Sequence, residues 1–301
     1  MSPLPLGAAL LSAALLAGCT SGGRAAAGGS PGAAVPLRFD WGGYQARVLM
    51  HRETRRSGRA PSWMVVRHLV VAELRGDEVW ISNRESEGQS DEEDLDLNLR
   101  IGEAVIQVAS RDGAFRRAEG LEEALALLAE RGLRDRDSAR QSLSRLAAED
   151  WEITVGAWQG RTLAEGRTLR KRFPGTLPLV PGVPVELEVD FGLAGRVPCE
   201  EGEEGSRCVA LSWRAGPAAA ELPEVTRRLQ AGAGQGPDAA RVEEVTARVE
   251  ASLVTEPETL RPRRLEVREE LRLRLRLPGG ESREVVEETF DSYRFSREFD
   301  L

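Results

Sequence analysis

The chain has 301 residues, 41% of them hydrophobic and 30% charged, with a formal net charge of −8. That balance is typical of a soluble globular body, with length for one large domain or two small ones. The acidic excess argues against nucleic acid as a partner, because neutralising phosphates needs a basic surface. Lys171 is the only lysine, so arginine supplies nearly all the positive charge, a skew from which no chemistry follows.

Leu6 to Leu15 is an apolar run too short to span a bilayer but long enough for the hydrophobic region of an export signal. It leads into Leu16-Ala17-Gly18-Cys19, which resembles the lipobox of bacterial lipoproteins. The resemblance implies a signal peptide over residues 1–18, cleavage before Cys19, acylation of that cysteine, and a lipid-anchored position at the cell envelope. The chain departs from the pattern in one respect, since Met1 to Leu6 carries no Lys or Arg. Thr20 follows the cysteine where an Asp would signal retention, which in Gram-negative lipoproteins implies the outer membrane facing the periplasm. Residues 19–36 are small and Gly-rich and cannot bury enough surface to fold, so they read as a lipidated flexible tether. Residues 37–301 are then expected to form a single α+β domain. No later apolar run approaches membrane-spanning length, leaving the lipid as the expected membrane anchor.

Of three cysteines, acylation of Cys19 leaves Cys199 and Cys208 as a pair. They bracket an acidic, glycine-containing loop between two strand-like segments. In an oxidising envelope compartment such a pair is expected to close into a disulfide, stabilising so short a loop by roughly 2–3 kcal/mol. A metal site would want more ligands at closer spacing.

From Leu37 the hydrophobic period is two. Tyr44, Ala46, Val48 and Met50 share one face of a strand that follows a bend at Gly42-Gly43. A basic loop leads to Met64, Val66, His68, Val70 and Ala72, a strand apolar on both faces and therefore expected inside the sheet. Val79 to Ile81 follows the turn at Gly76-Asp77. Leu95, Leu97, Leu99 and Ile101 alternate with Asp94, Asp96, Asn98 and Arg100, which predicts a further strand with a solvated acidic face. Asp112-Gly113 predicts a hairpin joining Ala104–Ala109 to Phe115–Ala118.

The period then changes to that of a helix. Leu121, Ala124, Leu125 and Leu128 fall on one face, with Gly132 placed to end the helix. A second helix is expected from Asp137 as N-cap to about Trp158, with Leu143, Leu146, Ala147, Trp151, Val155 and Trp158 on one stripe. Alternation returns in Val185, Leu187, Val189 and Phe191, and again in Val209, Leu211 and Trp213. Glu221–Gln230 is a short helix candidate. Val242–Val254 fits either period but matches a strand at more positions. Leu265 to Leu277 alternates with Glu and Arg, and a turn at Pro278-Gly279-Gly280 introduces a last strand over Ser282–Phe295.

Strands of such length cannot stay flat. With one apolar face per strand and two substantial helices, the expected fold class is α+β, a strongly curved antiparallel β-sheet of long strands wrapped around two central helices. That architecture weakly resembles the half-barrel of periplasmic lipoprotein carriers and lipid-binding envelope lipoproteins. No residue motif carries this likeness, so no binding residues transfer with it. What it implies is non-covalent binding of a lipid or other apolar ligand, and Trp151, Trp158 and Met64 are the first guesses for the lining. The alternative is a structural or protein-interaction module of the cell envelope with no ligand cavity.

His51 and His68 are the only histidines, on opposite faces of their strands, and a hydrogen-bonded core role is expected for His68. No nucleophile, base and orienting group can be named together, so no enzyme activity, cofactor or metal is expected. Asp94-x-Asp96-x-Asn98 begins like a calcium loop but has Leu99 where the glycine belongs. The Arg272, Arg274 and Arg276 row reads as a charged outer face. If the lipobox is used, Cys19→Ser should abolish membrane partitioning; a variant that still sediments with membranes would remove the anchor.

Overall fold

The computed structural model describes residues 34–296 apart from 92–93, 133–134, 178–179, 201 and 234–239. Cys19, the signal segment and most of the expected tether lie outside the described residues. In chain order the strands are β1 (Val35–Pro36), β2 (Gln45–Arg56), β3 (Ser62–Arg75) and β4 (Glu78–Ser90). Helix α1 (Leu95–Ala104) precedes β5 (Ile106–Ser110) and β6 (Phe115–Glu119), and α2 (Leu121–Glu130) and α3 (Arg136–Trp151) follow. After β7 (Thr162–Leu163) come β8 (Thr168–Leu177), β9 (Val180–Val197), β10 (Cys208–Pro217), α4 (Leu222–Ala233), β11 (Arg241–Thr255), β12 (Pro262–Arg276) and β13 (Ser282–Ser296).

Eleven strands form one antiparallel sheet in the order β6-β5-β4-β3-β2-β13-β12-β11-β10-β9-β8. Chain neighbours pair throughout, as short connections favour. The exception is β2 with β13, where the two halves of the chain are sewn together. Alternation sets the faces: on β11, Val245, Ala247, Val249, Ala251 and Leu253 are buried. Val242 is buried as well, and a register shift between Val242 and Glu244 explains why this segment also fits a helical period. A bulge inserts one residue and restores the inward face.

The outward face carries cross-strand ion pairs. Arg274 meets Glu244 at 3.0 Å, Arg276 meets Glu243 at 2.5 Å, and Glu270 is held between Arg248 and Arg272. The arginine row of β12 is thus answered by glutamates. The exposed pairs made by Arg274 and Arg276 contribute little stability, typically 0–1 kcal/mol each, but like charges directly opposite would oppose the register.

Three local expectations are corrected. Leu95–Ala104 is a helix, not a strand. Leu, Ala, Glu and Arg dominate it, all good helix formers, and an alternating run of leucines fits either period. Ile101 and Ala104 pack with Ala124, Leu125 and Leu128 in a second apolar cluster, and Asn98 is buried, so the acidic run is no solvated strand face. Helix α3 is capped by Asp135, whose side chain accepts from the Ser138 amide at 3.0 Å, which places Asp137 in the first turn. It continues into a π-helical stretch, Glu152–Gly156, and of its expected stripe Leu143, Ala147, Trp151, Val155 and Trp158 are buried while Leu146 is half-buried. Val35 and Pro36, assigned to the tether, instead pair with Leu163 and Thr162, because Val35 and Leu163 both belong to the main apolar core.

Cys199 and Cys208 form the expected disulfide, with Cα atoms 5.0 Å apart, tying the end of β9 to the start of β10. Helix α3 links the two apolar clusters, Leu143 and Ala147 lying in one and Trp151 in the other. It also contacts residues from both ends of the sheet. Gln107 of β5 donates to the Ala147 carbonyl at 3.0 Å, the Trp151 indole donates to the Gly113 carbonyl at 2.9 Å, and Lys171 of β8 pairs with Glu152 at 2.6 Å.

Two glycines should respond oppositely to alanine. At Gly120 (φ +73°) a Cβ would lie 1.8 Å from the Ala104 carbonyl oxygen, so Gly120→Ala should cost upwards of ~2 kcal/mol. Gly102 lies inside α1 with nothing within 4 Å of an added Cβ, so Gly102→Ala should gain roughly 0.5–1 kcal/mol. Denaturant midpoints of both variants check the pair.

Candidate functional site

Along β2 the inward face changes character. Ala46, Val48 and Met50 are followed by Arg52 and Thr54, all five buried. The partner strand β13 changes in step, with Tyr293 followed by Asp291 and Thr289. The register sets Asp291 opposite Arg52 and Thr289 opposite Thr54, so polar side chains meet polar ones. Arg52 donates from two nitrogens to both carboxylate oxygens of Asp291, and the two threonine hydroxyls lie 3.4 Å apart. Such a bidentate pair is the form in which buried charge is best tolerated.

Between this sheet face and the helices is a half-open cavity of about 80 Å³. Its wall includes His68 from β3, Tyr293 and Phe295 from β13, Asp150 and Thr154 from α3 and its extension, and Trp41. His68 and Asp150 are 6% and 8% exposed. Neither side chain makes a hydrogen bond among the described residues, so His68 is buried as expected but without the partner expected for it. Burial lowers the His68 pKa to about 4, leaving a neutral imidazole. Burial raises the Asp150 pKa well above the carboxylate range, and the charges of Glu149 and Glu269 add to the rise.

Glu269, on β12 opposite Thr289, belongs to the same acidic neighbourhood. Burial pushes its pKa up to about 8; Arg52 opposes the rise, while Asp291, Glu149 and Glu287 reinforce it. On α3, Arg145 lies 3.8 Å from Glu149. Burial alone would lower the Arg52 pKa, but the Asp291 carboxylate outweighs it and the guanidinium stays charged.

Trp151, Trp158 and Met64 are all buried, and none is part of the cavity wall. Trp151 donates to Gly113, and the Trp158 indole donates to the Ile153 carbonyl at 2.6 Å, so both are anchored in the core. The polar residues that do converge were visible only as exceptions to a pattern. Glu269 occupies an inward position between Val267 and Leu271, and Asp150 falls three residues after Ala147 on the helical stripe. No group of three His, Cys, Asp or Glu suited to a metal occurs among the described residues. A larger cleft, about 540 Å³, borders the disulfide loop, but it is lined by Arg196, Arg207, Arg263, Glu256 and Glu258. There Arg263 already pairs with Glu256 at 2.8 Å. No protein-family model matches the chain, and no curated protein matches it in sequence.

The buried acids give stability a defined pH dependence. A carboxyl whose folded pKa is raised holds its proton where the unfolded chain has lost it, so stability falls as pH rises, for Glu269 between 4.5 and about 8. His68 works the other way, its contribution being lost as pH falls from 6.5 to about 4. Urea unfolding across pH should therefore show stability declining from pH 6.5 to 8, by at most ~1.4 kcal/mol per pH unit for each such acid. Glu269→Gln should flatten that decline; a wild-type curve level or rising over the window would contradict the assignment.

Proposed function

We propose that the chain is a lipid-anchored cell-envelope protein whose β-rich body acts by non-covalent association, as a structural or protein-interaction module and not as an enzyme. The observation that carries this reading is the small interior void. A cavity of about 80 Å³ is several-fold below the roughly 300–1,000 Å³ usual for sites that enclose a small organic molecule. The apolar interior is occupied by the protein's own side chains, leaving the ion-paired outer face and the acidic Cys199–Cys208 loop as the surfaces a partner would meet. Placement at the outer membrane, facing the periplasm, rests on the lipobox resemblance and on Thr20.

A strongly curved sheet is part of the proposal. Eleven strands laid flat at ~4.8 Å spacing would hold the two edge strands about 48 Å apart, yet α3 and its extension, roughly 10–12 Å wide, contact residues of β5 and of β8 within six positions. Helix α2 joins this arrangement through the second apolar cluster, with Phe115 and Ala118 of β6 beside it.

A second reading, a carrier of a lipid or other apolar ligand, is favoured by the seating of α3. The helix that covers the inward face brings the partly buried Arg145 and Glu149 and the buried Asp150 with it, and burying ionisable groups weakens such a contact. If α3 moved aside, an apolar sheet face would open. Native mass spectrometry of the full-length protein separates the two readings. The module should show its own acylated mass alone, whereas a stoichiometric, non-covalently bound lipid would overturn it in favour of the carrier.

A further inference from the structure

We propose that the cavity between α3 and the β2–β13 seam is a binding site for a small primary ammonium group, with Asp150 as its counter-ion. Asp150 is 8% exposed, lines the void, and has no hydrogen-bond or ion-pair partner among the described residues. A buried carboxyl in that state lacks what a cation supplies.

The charges that act most on Asp150 are those of other carboxyls, Glu149 and Glu269. Glu149 lies on the same helix, with Arg145 3.8 Å from it, and Glu269 acts from β12, itself beside the Arg52–Asp291 pair of β2 and β13. Arg52 is held by Asp291 and Arg145 lies beside Glu149, so each neighbouring cation already stands next to a carboxyl, and Asp150 has none beside it. The other polar side chains of the wall, among them Gln107, His68 and Asn83, include acceptors an ammonium can donate to. Gln107 gives one amide hydrogen to Ala147 and keeps the other and its Oε1, and neutral His68 offers one ring nitrogen as acceptor and one N–H. Trp41, Tyr293 and Phe295 put aromatic side chains in the wall, the residue type that attracts ammonium groups. An apolar ligand would leave Asp150 as it is, and a divalent metal would need several hard ligands where one carboxyl is present. The volume holds about five water-sized units, room for an alkyl-ammonium end and little more.

Binding would be linked to a proton. Burial and the neighbouring carboxyls keep Asp150 protonated when no cation is present, so an arriving ammonium displaces that proton. Affinity should then rise with pH until Asp150 is ionised in the free protein.

The test is calorimetry of the full-length chain in detergent with ethylammonium chloride at pH 6, in two buffers of different ionisation heat. Ethanol and sodium acetate serve as the neutral and anionic controls. Expected are saturable binding of ethylammonium alone, release of up to one proton per site, and at least tenfold weaker binding by Asp150→Asn at a melting temperature no lower than the wild type's. 1,6-Diaminohexane distinguishes an ammonium at the end of a chain reaching in from outside from a free small amine, and preference for either fits the site. No saturation, equal binding of ethanol, or unchanged affinity in Asp150→Asn would overturn the proposal and leave the cavity to water. Should Asp150→Asn fail to fold, proton release by the wild type decides, and its absence overturns the proposal. Lipid detected by mass spectrometry bears on the module reading and not on this site.

Discussion

The pair formed by Arg52 and Asp291 lies where the first long strand of the sheet meets the last, 239 residues away in the chain. Everywhere else in the sheet, pairing joins neighbours along the chain, and alternating apolar residues are enough to hold it. Along one half of this seam the inward face is polar, and two opposite charges are buried with both oxygens of the carboxylate and two nitrogens of the guanidinium engaged. Each would be costly without the other, since a lone buried charge loses its hydration and gains nothing in return. A pairing shifted by one residue would turn Arg52 and Asp291 to opposite faces, so the seam's register is specified more tightly than hydrophobic contact alone could manage.

Much of the fold was legible because its signals are local. The strand alternation on β11 and β12, the hairpin at Asp112-Gly113 and the disulfide all follow from residues within a short stretch of chain. The errors have local causes too. Leucine alternation in 95–101 satisfies two periods at once, and only the packing of Ile101 and Ala104 against α2 decides between them. Asp135 and Asp137 are both acceptable caps, and the hydrogen bond to Ser138 selects one.

The candidate site was less legible because it is assembled from distant segments. His68, Asp150 and Tyr293 come from three separate parts of the chain, and none carries a motif. What the sequence did contain was a set of polar residues at positions the pattern reserves for apolar ones. Glu269 between Val267 and Leu271 is one, and Arg52 after Met50 is another. The large tryptophans attract the eye first, yet their indole hydrogens are committed to backbone carbonyls at Gly113 and Ile153, and their bulk fills the core. Interiors packed in this way leave room only where a shorter polar side chain interrupts them.

The strand order also fixes a sequence of events. Pairs such as β11–β12 and β12–β13 close across short turns and can form as soon as their residues exist, whereas closing a loop of more than two hundred residues is entropically dearer. The strand that completes the seam, β13, ends the described chain. Until it emerges, β2 is an open border with an unmatched guanidinium, and a nascent molecule is two incomplete ribbons in search of a common margin.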